Sequence, residues 1–225
     1  MNKIFGLYKP KGITSQKAVK IVKSFYGGEK VGHAGTLDPL AEGILVIGVG
    51  REATKKLGSI VEKEKEYFAT IKFGETSTTD DAEGGKSVRT VRNVPDVEIV
   101  RDVIQSFVGR FKQMPPTYSA VKVRGQEAYK RIRRGESFTL GVRDVEIKEI
   151  EILKYAWPYL KMRVVTGPGV YIRSLARDIG EKISVGAYLS ALERTRVGQF
   201  TKENCHRIEE FQSINQSINQ SMTKH

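Results

Sequence analysis

Two spacings of apolar residues alternate along this chain. Ile4 to Tyr8 is a short apolar run closed by Lys9-Pro10, as a strand with an abrupt stop would be. Thr14 or Ser15 then stands where a helix cap belongs. Ala18, Val19, Ile21, Val22 and Phe25 recur at helical spacing up to Gly27-Gly28, with Lys17, Lys20 and Lys23 mainly on the other faces. The stretch VGHAGTLDPLAEGILVIGV follows: a loop of small residues (Gly32, Ala34, Gly35), one carboxylate, Asp38, fixed by Pro39, and an apolar run from Ile44 to Val49 that reads as a buried strand. A helix is expected from Glu52 to Ile60. Tyr67 to Phe73 has the period-two pattern of a strand. Thr76 to Lys86 is acidic and polar, a loop.

Asp96 is placed to cap a helix reaching Lys112, striped by Ile99, Val100, Val103, Ile104, Phe107, Val108 and Phe111. Residues 118 to 123 suit a strand, and Gln126 to Arg134 a short basic helix ended by Gly135. Val142 to Ile152 and Leu160 to Thr166 suit strands, and Gly167-Pro168-Gly169 turns into a helix bearing Ile172, Leu175, Ala176 and Ile179. Without strict alternation of strand and helix, the expected class is α+β with a largely antiparallel sheet.

Composition narrows the function. A chain of 225 residues buries one generous core, or a core with a small appendage. No run approaches the roughly 20 apolar residues of a membrane span. MNKIFGLYKPKG is broken too early for a signal peptide, so a cytoplasmic protein is expected. Cys205 is the only cysteine, and His33, His206 and His225 lie far apart, so neither a disulfide nor a metal site is expected. Net charge is +12 and unevenly spread: Arg110 to Arg143 holds nine Lys/Arg against two Asp/Glu, whereas Gly58 to Gly85 holds three against seven. Such clustering suits a polyanion, by default nucleic acid. Gly85-Lys86-Ser87 is no phosphate loop, because Asp80 stands where its first glycine is required.

Read from local pattern alone, the candidate residues keep plain alternatives. Asp38 could be a helix cap with Pro39 at the first helical position. Tyr67 could be a core aromatic, Arg173 a surface cation on an amphipathic helix, Tyr171 and Leu192 ordinary packing, Lys9 a solvated charge, and His33 a loop residue without a role.

The segment GHAGTLDPLAEGILVI resembles the signature of the TruB family of tRNA pseudouridine synthases, and five further blocks follow the family's order. Lys9 to Ser15 is similar to KPxGxTS, Glu66 to Ala69 to the KxYxA strand, and Pro115 to Lys122 to PPxYSAVK. Tyr171 to Asp178 and Leu189 to Gly198 complete the set. The resemblance covers residues 3 to 200. It implies a pseudouridine synthase fold, a central mixed, mostly antiparallel sheet with flanking helices and an active-site cleft. It also implies isomerisation of the T-loop uridine of tRNA, position 55 in customary numbering, without a cofactor. Its division of the chain is a catalytic domain over 1–208 and a polar tail over 209–225, SINQSINQS at its centre, where relatives continue into a small RNA-binding domain of the PUA type.

By the same resemblance Asp38 is the catalytic carboxylate, Arg173 the cation that pairs with it and keeps it charged, and Tyr67 the ring that stacks on the target base. Tyr171 and Leu192 line the uracil pocket, Lys9 lies near it, and His33 fills the gap left by an everted base. Lys122, Arg124, Lys130, Arg131, Arg133 and Arg134, with Tyr118 and Tyr129 interleaved, coincide with the family's RNA-clamping thumb over 118–141, expected to be mobile without RNA. The expected partner is the tRNA T-stem-loop, with no membrane and no obligate protein partner, for a monomer. The alternatives are a synthase for another RNA and an RNA-binding or RNA-folding protein on an inactive scaffold. Glu193, where relatives often carry a basic residue, and Gly167-Pro168, where they often carry a polar-small pair, depart from the pattern.

Overall fold

The computed structural model describes residues 2–119, 121–123, 125–132, 134–136, 138 and 140–212; at 122, 123, 127, 129 and 130 it describes the backbone alone. Two compact units emerge, one holding the chain up to Tyr67 and again from Leu192, the other Phe68–Ala191.

The first unit starts with β1 (Lys3–Lys9) and α1 (Ser15–Phe25). Thr14 caps α1, its hydroxyl accepting from the Lys17 amide at 3.0 Å. β2 (Val31–Ala34) and β1 both run antiparallel to β3 (Glu42–Val49), buried from Gly43 onward, with Lys3 opposite Val49 and Lys9 opposite Gly43. α2 (Arg51–Val61) follows, then β4 (Lys65–Phe73), which carries the chain into the second unit.

There, β5 (Glu75–Ser77) and β6 (Lys86–Val88) form a small hairpin around the acidic loop. α3 (Val97–Gln105) is capped by Asp96, whose carboxylate accepts from the Ile99 amide at 2.9 Å. It stops well short of Lys112, correcting the helix expected there. Two tight turns, Phe107 N to Ile104 O and Val108 N to Gln105 O, lead to Gly109 at φ 101°, and β7 (Gly109–Gln113) sets Phe111 opposite Val145. Apolar residues at 107, 108 and 111 fit either period, and the glycine's positive φ decides.

β8 (Lys122–Val123) pairs with β9 (Gln126–Glu127), and α4 (Ala128–Ile132) is followed by a turn in which the Gly135 amide, at φ 74°, donates to the Ile132 carbonyl at 2.8 Å. β10 (Arg143–Ala156) and β11 (Tyr159–Thr166) pair antiparallel, giving this unit the order β4-β11-β10-β7. α5 (Ile172–Lys182) buries Ile172, Leu175, Ala176 and Ile179 as the apolar spacing predicts.

β12 (Ala187–Val197) returns the chain to the first unit, where Glu193 and Arg194 lie parallel to Glu42 and Gly43 of β3. Gly43 sits at φ 111°, and a Cβ there would stand 2.2 Å from the Arg194 carbonyl oxygen, so only glycine permits this approach. β13 (Phe200–Thr201) folds back on β12, and β14 (Cys205–Arg207) adds to β1 in parallel. Leu7, Val22, Leu45, Ile47 and Phe211 share the core under α1. The SINQ repeat lies outside the described residues.

Candidate active site

Asp38 does not cap a helix. Residues 38 to 40 form a turn closed by the Ala41 amide on the Asp38 carbonyl at 3.1 Å, and β3 begins at Glu42. The loop is held on both sides of the carboxylate by the segment after β1. Thr14 does the capping of α1, which leaves the Ser15 hydroxyl to donate to the Leu37 carbonyl and accept from the Leu37 amide, both at 2.8 Å. Gly12 N donates to the Pro39 carbonyl at 2.8 Å. Lys9 is 0% exposed and sends Nζ to the carbonyls of Pro10, Ile13 and Ala41 at 2.9, 2.8 and 2.6 Å. An ammonium has three N–H groups, and three carbonyls receive them. Lys9 thus sits beneath the loop as its fastening, not as the solvated charge that local pattern allowed.

A second fastening was not singled out in the sequence. Arg194, 2% exposed, sends Nε to the Ile44 carbonyl at 2.7 Å and Nη2 to the Gly35 carbonyl at 2.9 Å. Lys65, also buried, donates to the carbonyls of Val61 and Lys63 at 2.6 and 2.7 Å. Burial, reinforced by the nearby Arg194 charge and opposed by Glu62, brings the Lys65 ammonium down to about 8. His33 on β2 is likewise pushed below its ordinary value, first by burial and then by Arg194, and so stays neutral. Its Nδ1 is buried without a hydrogen-bond partner. Leu192 packs on the cluster that contains Leu37, and Tyr67 is buried on β4. Lys9, His33 and Leu192 are therefore gathered around the Asp38 loop within one unit. Glu193 accepts from the Tyr8 hydroxyl at 3.0 Å and meets Lys202 Nζ at 2.9 Å.

Arg173 and Tyr171 belong to the second unit. Arg173 is buried at the start of α5, where Nη1 donates to the Thr79 carbonyl at 3.2 Å and lies 3.7 Å from Asp81 Oδ2, and Nη2 donates to the Tyr118 carbonyl at 2.9 Å. Asp81 is itself 2% exposed. Next to this pair Arg177 bridges Asp80 and Asp178, both at 2.8 Å. Gln113 clasps Tyr171 by both backbone groups, accepting from its amide at 2.8 Å and donating to its carbonyl at 3.1 Å. The sequence pattern assigned no role to Asp81, Gln113 or Arg194. An acidic pair in a polar loop and a basic residue in a strand carry no local mark of burial.

In the basic segment, Arg131 Nε meets Glu136 at 2.6 Å with its guanidinium 5.5 Å from the Phe138 ring, and Arg134 Nη1 lies 3.4 Å from Gln126 Oε1. Arg124 and Arg133, and the side chains of Lys122, Tyr129 and Lys130, lie outside what the structure describes.

Comparison with known proteins bears on the same residues. The family model described as TruB family pseudouridylate synthase, N-terminal domain, matches residues 23–172, and that of the tRNA pseudouridylate synthase B C-terminal domain matches 173–224. The chain belongs to the TruB family. It is 44% identical over 210 residues to tRNA pseudouridine synthase B of Thermobifida fusca, across 90% of this chain and 71% of that protein. It is 44% identical over 197 residues to the protein of the same name from Parabacteroides distasonis, across 87% and 81%. A solved Cbf5-Nop10-Gar1 complex contains a chain with TM-score 0.70 and 31% identity, covering 92% of this chain and 52% of that one. This TruB-family chain therefore spans about half the length of that neighbour and has the pseudouridine synthase fold, α+β with a mixed sheet. Among the described residues, no helix is long and apolar enough to cross a membrane.

Proposed function

We propose that this chain isomerises the T-loop uridine of tRNA, position 55, to pseudouridine, with Asp38 as the carboxylate that acts on the target nucleotide. In that reaction the bond from ribose C1′ to uracil N1 breaks, the base rotates, and a bond from C1′ to C5 forms. The proton on C5 is lost and N1 gains one. The observation that carries the reading is the fastening of the Asp38 loop: Ser15, Gly12, Lys9 and Arg194 fix the backbone at residues 35, 37, 39 and 41 around a single carboxylate. Such investment in one turn suits a group that must meet the substrate in a set geometry.

The remaining roles follow the same proposal. Arg173 pairs with Asp38 and keeps it ionised against the cost of burial. Tyr67 stacks on the loosened uracil, with Tyr171 and Leu192 as pocket walls. His33, a flat neutral ring with one nitrogen awaiting a partner, takes the place of the everted base. The basic residues from Lys122 to Arg134 grip phosphates. The cytoplasm and a monomeric state suit a synthase acting on free tRNA.

A second reading, a synthase for another RNA working with partner proteins, draws on the likeness to the Cbf5 complex and to an H/ACA RNP bound to a substrate RNA, TM-score 0.67 at 28% identity. Incubation of the purified chain alone with unmodified tRNA transcript, followed by base-resolved mapping, separates the two. New pseudouridine at the T-loop uridine, lost by about 10³-fold or more in Asp38→Asn, is the expected result. Modification elsewhere, or none without added proteins, would overturn the proposal.

A further inference from the structure

Three polar side-chain atoms among the described residues are buried without any hydrogen-bond partner: His33 Nδ1, Ser119 Oγ and Thr166 Oγ1. Burying a hydroxyl unpaired sacrifices its bonds to water with nothing in return, so native structures hold few such atoms. His33 already has a place in the proposed reaction. Thr166 is the last residue of β11, where a β-branched side chain packs well whatever its hydroxyl does. Ser119 has neither account. It is 3% exposed, in a segment where serine is under no demand for a strand former.

Its position is informative. The residue before it, Tyr118, gives its carbonyl to Arg173 Nη2 at 2.9 Å, and two residues on, Val121 joins Ala128 and Leu140 in the cluster against which Tyr171 packs. The approach to this stretch is pinned from α5, as the Ser174 hydroxyl and Arg177 Nη2 donate to the Met114 carbonyl at 2.8 and 2.9 Å. Ser119 thus sits between the contact to Arg173 and the contact to Tyr171, on a segment fixed to the helix that bears Arg173.

We propose that the Ser119 hydroxyl is a substrate contact, hydrogen-bonded to the sugar–phosphate backbone of the RNA beside the target nucleotide. This deepens the proposed function and rests on it. A hydroxyl both donates and accepts, which matches a ribose 2′-hydroxyl or a phosphate oxygen, the groups an RNA strand offers whatever its sequence. Desolvation in the free protein is then the cost of a donor held ready, and RNA supplies the missing partner.

The test compares wild type, Ser119→Ala and Thr166→Val by thermal melting of the free protein and by Kd for an unmodified tRNA transcript. Because Ser119→Ala breaks no bond in the free protein, its Tm stays the same or rises, whereas its Kd rises about tenfold, or ~1.4 kcal/mol. Thr166→Val matches it in melting and leaves Kd unchanged. Transcripts with single 2′-deoxy substitutions at the target and at each nucleotide flanking it assign the partner. If one deoxy penalty vanishes in Ser119→Ala the contact is to that 2′-hydroxyl, and if all persist beside the Ser119 effect the contact is to phosphate. An unchanged Kd in Ser119→Ala, a lowered Tm, or an equal Kd loss in Thr166→Val overturns the proposal. Isomerisation of the unsubstituted transcript by wild type is scored separately, so failure of the functional reading and failure of the Ser119 contact are told apart.

Discussion

In the first unit the buried cations Lys9, Lys65 and Arg194 donate to carbonyls, whereas in the second Arg173 and Arg177 meet carbonyls and carboxylates together. The first three donate to the backbone of residues 10, 13, 35, 41, 44, 61 and 63. Arg173 and Arg177 also lie against Asp81, Asp80 and Asp178. A carbonyl orients a cation without neutralising it; burial first, and the nearby Arg194 charge second, lower both Lys65 and His33. In the second unit burial pushes the carboxyls of Asp80 and Asp178 up, and Arg177 pulls both part of the way back. Both units use cations to fix backbone; the second adds carboxylates that hold the guanidinium groups in turn.

The harshest way to break this contrast is to remove a fastening cation. Lys9→Met leaves three carbonyls without their donor and should cost about 3 kcal/mol in denaturant unfolding, with a fall in turnover as the loop loosens. If stability and turnover both hold, the loop is not fastened by Lys9. On the other side, Asp81→Asn takes counter-charge from Arg173 while keeping its shape. We expect kcat to drop roughly tenfold to a hundredfold with tRNA affinity little changed, a pattern of lost positioning that a kcat-against-KM split will reveal.

The pH dependence of stability sharpens the contrast more gently. The Lys65 ammonium sits at about 8 in the fold against its ordinary value of 10.5. Below the folded value both states are protonated and the burial penalty is present in full. Between the two the unfolded chain binds more protons, so unfolding free energy gains a positive slope with pH from about 8 to about 10.5. Lys65→Met should lack that part of the slope in paired pH titrations of denaturant midpoints. The smallest effect belongs to the exposed basic segment. Arg134→Gln should lower the slope of log K against log salt for tRNA binding by about 1, without changing Tm. An unaltered slope removes Arg134 from the phosphate contacts.

Legibility in the sequence followed the range of the interaction. α1, β3, α2, β4, β10, β11 and α5 were readable, because each is fixed by its own apolar period and by local signals such as the cap Thr14 at the start of α1 and Gly167 after β11. Where one pattern fits two periods, as across Phe107 to Phe111, the reading erred. The family blocks marked Asp38, Lys9 and Arg173 as residues of interest, and Lys9 proved to be the fastening of the loop it was expected to lie near. Asp81 and Gln113 escaped notice, and Arg194 and Ser119 stood inside family blocks without a role, since their significance lies in what they touch or lack.

The order of apolar and polar residues thus determined which segments become strands and helices, that the class is α+β, and that one aspartate stands in a small-residue turn. Only the tertiary structure decided that this turn is tied by Lys9 and Arg194 across 32 and 159 residues of chain. It alone decided that Arg173 finds Asp81, and that the Ser119 hydroxyl is buried with nothing to bond. Secondary structure is encoded by neighbours in sequence, whereas hydrogen bonds to a buried loop and the desolvation of a side chain exist only once distant segments have packed together.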